Sequence, residues 1–203
     1  MLFSTEKGIT HPENQTVFDL VTCPVFILPE QLYKQISPLV QSTPLMAIID
    51  LPKINFTWQG NVDTLILDCV QDPGNVGTLL RSAAAVGIQQ VLTTTGTASL
   101  WSPRVLRAAM GAHFSLKLYE HIAYEQIIHH FSIPIYATSS HQPTSIYQLN
   151  LKTPCAWILG NEGQGVHTQL LEQSHSVTIP QPGGQESLNV AIAGSVCLFE
   201  MMR

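Results

Sequence analysis

The sequence predicts an α/β fold: a parallel sheet with helices on both faces, preceded by a short N-terminal β-α-β appendage. Three observations carry this. From about residue 62 onward, short apolar runs alternate with segments of helical length. Those runs are nearly continuously apolar, as strands covered on both faces must be. Of 203 residues, 45% are hydrophobic and 11% charged, enough apolar mass for one full domain and a small addition.

The elements follow in order. The first sixteen residues are polar and irregular, with His11-Pro12 and Asn14 as breakers, and are expected to be mobile. Val25-Phe26-Ile27-Leu28 reads as a strand, Pro29 to Leu39 as a short helix, and Met46-Ala47-Ile48-Ile49 as a second strand. Pro52 to Asn61 lacks a period and reads as a linker, which divides the chain into units 1–61 and 62–203. Strand Thr64–Val70 then leads to a helix from Asn75 to Val86 and strand Gln90–Thr94. A helix over Pro103–Met110 precedes a strand-like Phe114–Tyr119, and helix Ala123–Phe131 precedes strand Ile133–Thr138. Strand Cys155–Leu159 ends in a glycine loop, His167–Gln173 is a helix candidate, and strand Val177–Ile179 precedes a last helix over Leu188–Met202. That helix is apolar on nearly every face, so it must be buried, with a second subunit as the simplest cover.

Composition also limits function. A net charge of −5 and a pI near 5.8 argue against nucleic acid unless a local basic patch, built across a dimer, supplies the contact. The four cysteines are widely spaced with no C-x-x-C pair, so neither a zinc site nor a disulfide framework is expected. Met1 to Thr10 lacks the apolar core of a signal peptide, and Val190 to Met202 falls short of the roughly 20 residues a bilayer needs. A soluble cytoplasmic protein without membrane contact is expected. His129-His130, with His121 nearby, has no carboxylate or cysteine partner at ligand spacing; these read as solvated helix-end histidines, and no metal is expected.

Three motifs lie at strand ends, where open α/β sheets bind ligands. The first is Asp72-Pro73-Gly74-Asn75-Val76-Gly77, followed by Arg81. Val76, Leu79, Leu80, Ala83 and Ala84 form a stripe facing the sheet, which groups Gly74, Gly77, Thr78 and Arg81 on the opposite face. A turn and helix cap would explain Pro73 and Gly74 unaided, but not the cation. Neither a P-loop nor a dinucleotide fingerprint fits the spacing. The second motif, Gly160-Asn161-Glu162-Gly163-Gln164-Gly165, sets three glycines around one carboxylate with no cation, which suits a nucleobase or uncharged group better than phosphate. The third is Val177-Thr178-Ile179-Pro180, Gly183-Gly184 and Ser187-Leu188-Asn189-Val190; Ser187 by itself reads as an N-cap.

Together and in this order the three segments resemble the SpoU/TrmH branch of the SPOUT methyltransferases, from about residue 62 to the end. Ser102 to Ala112 is also similar, although the family usually carries serine where Ala109 stands. The resemblance implies a C-terminal deep trefoil knot and a homodimer whose active site is completed across the interface. It implies methyl transfer from S-adenosylmethionine to a ribose 2'-hydroxyl of structured RNA, rRNA being slightly favoured over tRNA. Catalytic roles pass to Asn75, Arg81, Glu162, Ser187 and Asn189, and cofactor contacts to Thr138, Leu159, Gly160, Gly163, Ile179 and Leu188. The N-terminal unit looks like a shortened ribosomal-protein-like substrate domain. Trp101, Arg104 and Arg107 are further candidate RNA contacts. The alternative is a catalytically silent, knotted RNA-binding or assembly protein of the same fold.

Overall fold

The computed structural model describes residues 1–37, 44–51, 57–139, 144–184 and 187–203. The chain divides into two compact units, Met1–Asn55 and Phe56–Arg203.

The first unit contains β1 (Leu2–Ser4), α1 (Glu6–Ile9), α2 (Pro12–Leu20), β2 (Val25–Ile27), α3 (Glu30–Ile36) and β3 (Leu45–Ala47). The opening residues are therefore structured, contrary to the expectation of a mobile start. β1 is the middle strand, parallel to β2 and antiparallel to β3, so the unit is a small mixed sheet rather than a β-α-β pair. The polarity of this stretch is used locally. Thr5 caps α1 by accepting from Gly8 N at 3.1 Å, Ser4 Oγ donates to the Pro44 carbonyl at 2.7 Å, and Asn14 Nδ2 donates to the Gly8 carbonyl at 2.9 Å. Leu39, the expected end of the helix, lies outside the described residues.

The second unit alternates β4 (Thr64–Leu67), α4 (Pro73–Ala85), β5 (Gln90–Thr93), α5 (Pro103–Ala109), β6 (Lys117–Tyr119), α6 (Tyr124–His130) and β7 (Ile135–Thr138). It continues with β8 (Ala156–Leu159), α7 (Thr168–Leu171), β9 (His175–Val177) and α8 (Val190–Glu200). Its strands pair in the order β6-β5-β4-β8-β7-β9, all parallel. The two-residue period of a strand divides the core. Leu65, Leu67, Val91, Trp157 and Leu159 pack under α4, α5 and α8, whereas Ile66, Leu92 and Ile158 pack under α6 and α7. Helices thus cover both faces, as the apolar runs required.

Other differences have local causes. The described end of the expected linker enters the larger unit: Trp58 is buried, its ring 4.0 Å from that of His130, and Gln59 N donates to Gln90 Oε1 at 3.0 Å. Residues 52–56 of that stretch lie outside the described residues. His130 is held, not merely solvated, because a ring nitrogen also lies 3.1 Å from the Trp58 carbonyl. Phe114 belongs to a short 3-10 turn, not to a strand; Met110 (φ 49°) and Gly111 (φ 87°) break the chain direction there. β9 ends at Val177, and Thr178 instead exchanges backbone hydrogen bonds with Thr144 and Ile146 at 2.9 Å each. Among the described residues no helix is long and apolar enough to cross a membrane, and no cluster of three metal-ligating side chains occurs.

Candidate active site

Three of the five predicted catalytic residues meet. Asp72 caps α4 by accepting from Asn75 N at 2.8 Å, with Pro73 in the first turn. That fixes Asn75, whose Nδ2 donates to Glu162 Oε1 at 2.8 Å. Asn75 Oδ1 accepts from Asn189 Nδ2 at 3.1 Å, and Asn189 Oδ1 accepts from Ala191 N and Ile192 N at the start of α8. The donors run in one direction, from the amides of a helix N-terminus to a carboxylate. One residue from each motif contributes, and Glu162 keeps a second oxygen outside the chain.

The same face of α4 continues onto α8. A methyl group added at Gly194 would collide with side-chain carbons of Leu79 and Leu159, so glycine lets the helix lie flat there. One turn further on, the Ser82 and Ser195 hydroxyls meet at 2.8 Å. Asn75, Leu79 and Ser82 thus form one row against α8.

Beside this chain opens a cavity of about 500 Å³. Thr138, Gly160, Gly163, Ile179 and Leu188 line it, as do Glu162 and Ser187. Leu159 does not: its side chain is fully buried in the core beneath Gly194. Leu171, Val190 and Ala193 add apolar wall. Asn161 N and Gly165 N each donate to the other residue's carbonyl, at 3.0 and 2.9 Å, and Asn161 Oδ1 accepts from Gly163 N and Gln164 N. The three glycines have different reasons. Gly160 abuts the backbone of Gly165 and Val166, and Gly165 adopts φ 74°. At Gly163 an added methyl would meet only Asn161 Oδ1 at 3.5 Å, so the protein's own packing does not demand glycine there.

The loop is anchored by a residue that no motif singled out. Asp68, 1% exposed at the end of β4, accepts from His167 N at 2.7 Å, Thr94 Oγ1 at 2.7 Å and Tyr124 Oη at 3.2 Å. Its neighbour Cys69 (φ 54°) offers its carbonyl to Asn161 Nδ2 at 3.0 Å. Asp68 and Cys69 therefore hold both ends of the 161–167 loop. Tyr124 stacks on His167 at 4.4 Å; burial, and then the Asp68 charge, push its phenol up to about 12. These partners lie 26 to 99 residues from Asp68 in sequence, beyond the reach of any local pattern.

Arg81 is not among the assembled groups. It is exposed, makes no hydrogen bond or ion pair with a described residue, and does not line the cavity. Nor does it share an open face with Gly77, as the sequence suggested. Gly77 is buried where α5 crosses α4, and a methyl there would collide with Ala108 and crowd Ala109 N at 2.9 Å. Helix contact, not ligand approach, accounts for that glycine. Ala109 is buried in this crossing. Trp101 is half-buried against the core, 5.0 Å from the ring of His113, while Arg104 is exposed.

A profile of the SpoU rRNA Methylase family matches residues 64–199. An uncharacterized tRNA/rRNA methyltransferase of Synechocystis is 36% identical over 68% of this chain and 52% of its own length. The 23S rRNA (guanosine(2553)-2'-O)-methyltransferase of Bacillus subtilis is 29% identical over 87% of this chain and 71% of its own. The structure of an AdoMet-bound rRNA methyltransferase from Sinorhizobium meliloti superposes with a TM-score of 0.78 at 25% identity, covering all of this chain and 78% of that one. The chain thus spans between about half and seven-tenths of these two curated relatives. With the profile covering the parallel sheet and all three motifs, the chain belongs to the SpoU rRNA methylase family.

Proposed function

We propose that this protein transfers a methyl group from S-adenosylmethionine to a ribose 2'-hydroxyl of structured RNA, with rRNA as the target class. The observation that carries the reading is the directed chain Asn189–Asn75–Glu162 beside the cavity. It joins the three motifs into one polar surface next to a pocket with room for a nucleoside.

The cavity fits the methyl donor in its chemistry. Apolar walls at Leu171, Ile179, Val190 and Ala193 suit a flat base, and the glycine at 163 leaves space that the protein does not fill. Thr138, Gly160, Gly163, Ile179 and Leu188 are the proposed donor-binding positions, with Leu159, fully buried and its carbonyl accepting from Asp68 N at 2.8 Å, supporting them from behind. S-adenosylmethionine, when bound, supplies a methyl made electrophilic by a positively charged sulfur. The chain's own residues then need only align the hydroxyl and stabilise charge. Asn75 would orient the ribose and Glu162 would support it, with Ser187 and Asn189 ordering the wall beside it. Arg81 stays protonated at neutral pH, so it cannot act as a base. It would clamp an RNA phosphate and stabilise the developing alkoxide, with the hydroxyl proton passing to that phosphate.

Arg81 lies away from its own chain's cavity, and α8 exposes Ile192, Phe199 and Met202 at its outer face and end. Both features support a homodimer in which Arg81 serves the partner's site. The family resemblance further supports a trefoil knot formed by the segments around the second and third motifs. The N-terminal unit would bind RNA as a reduced substrate domain. Transfer of labelled methyl into rRNA, with 2'-O-methyl positions mapped in the presence and absence of the protein, tests the activity. Donor binding without any methyl transfer would favour the silent RNA-binding alternative.

A further inference from the structure

We propose that Gln181 reads the 6-amino group of the donor's adenine, which makes it a specificity-determining residue of the cavity. The inference rests on the reading that the cavity holds S-adenosylmethionine. Gln181 lines this cavity, and its Oε1 is a buried acceptor with no hydrogen-bond partner. The other described side-chain atoms in that condition, on His113 and Trp157, line no part of it. A buried acceptor left without a donor is destabilising, so such an atom beside a ligand cavity points to a donor on the ligand.

The backbone around it is fixed in advance. Pro180 and Pro182 flank Gln181, restricting the chain and offering no N–H that could satisfy the side chain. The turn is closed by Gly184 N donating to the Gln181 carbonyl at 3.0 Å. Charge then assigns the donor. S-adenosylmethionine presents a charged ammonium at one end and a neutral amino group on its base. Glu162 also lines the cavity and keeps one carboxylate oxygen outside its bond to Asn75, so the ammonium has a better partner there. The neutral amide of Gln181 belongs to a residue two positions beyond Ile179, part of the apolar lining that suits the base.

The test measures binding by calorimetry to the full chain, using S-adenosylmethionine, its analogue with the 6-amino group replaced by oxygen, and its analogue lacking the methionyl ammonium. The wild-type protein should prefer S-adenosylmethionine to the oxygen analogue by about tenfold or more. In Gln181→Met that preference should shrink to within about threefold, chiefly through weaker S-adenosylmethionine binding, with the thermal transition retained. Gln181→Asn, which withdraws the acceptor without removing polarity, should behave like the Met variant and serves if that variant does not fold. A preference unchanged by both substitutions overturns the assignment, as does a change confined to the analogue lacking the ammonium. Absence of S-adenosylmethionine binding to the wild type would instead overturn the reading of the cavity itself.

Discussion

The first turn of α4 and its third behave as two different regions, although one motif spans them. Asn75 is tied to Asp72, Glu162 and Asn189, and Ser82 on the same row meets Ser195. Arg81 stands six residues beyond Asn75, which at about 100° per residue turns it roughly 120° away and carries it about 9 Å along the axis. It has no partner among the described residues. A motif compact in sequence thus serves two directions in space: one side is wired into its own chain, the other is left to meet something that arrives.

The largest effect should come from the unwired side. Arg81→Ala should lower methyl transfer by about 10³-fold or more while leaving donor affinity within about twofold, as single-turnover rates and calorimetry would read. Arg81→Lys should rescue little, because a point charge does not replace a bidentate fork. Loss of donor binding in either variant would place Arg81 on the wired side after all. Next comes Asp68→Ala, which strips three donors of their acceptor; we expect a loss of about 3 kcal/mol in chemical denaturation and weakened donor binding. Asp68→Asn should restore most of both, since its oxygen can serve His167 N while the two hydroxyls reorient. Asn189→Ala removes the α8 cap and should cost about 1 kcal/mol of stability, whereas Asn75→Ala should spare stability and reduce turnover. The smallest effect is chemical: burial pushes the Cys197 thiol on α8 up to about 12, so at pH 8 it should resist alkylation while the half-buried Cys23 and Cys69 react. Rapid Cys197 labelling would mean that α8 does not stay seated on α4.

The parallel sheet was legible because strands buried on both faces leave nearly unbroken apolar runs, as in Leu65-Ile66-Leu67. The N-terminal strand was not. Leu2–Ser4 is three residues long, and Ser4 and Thr5 satisfy backbone groups nearby, which reads in sequence as polarity. Gly77 is ambiguous in sequence because a glycine that admits a ligand and one that admits Ala108 look alike until α5 is in place. The family resemblance implied that Asn75, Glu162 and Asn189 share a site, but nothing in the sequence pointed to Asp68 or Gln181. Their roles depend on bonds made, or left unmade, with groups far away along the chain.

The strand order has a consequence for how the molecule comes into being. β4 is bordered by β5, which follows it closely, and by β8, which the chain reaches about ninety residues later. During synthesis at roughly 5–20 residues per second, β4 and later β7 must wait with a bare edge until β8 slides between them. The wall of the cavity, drawn among the described residues from 138 onward, is finished after that. Donor binding should therefore report the last folding event rather than the first. A chain stalled before residue 156 would expose the edges of β4 and β7 that β8 covers, and a chaperone would find them before any substrate did.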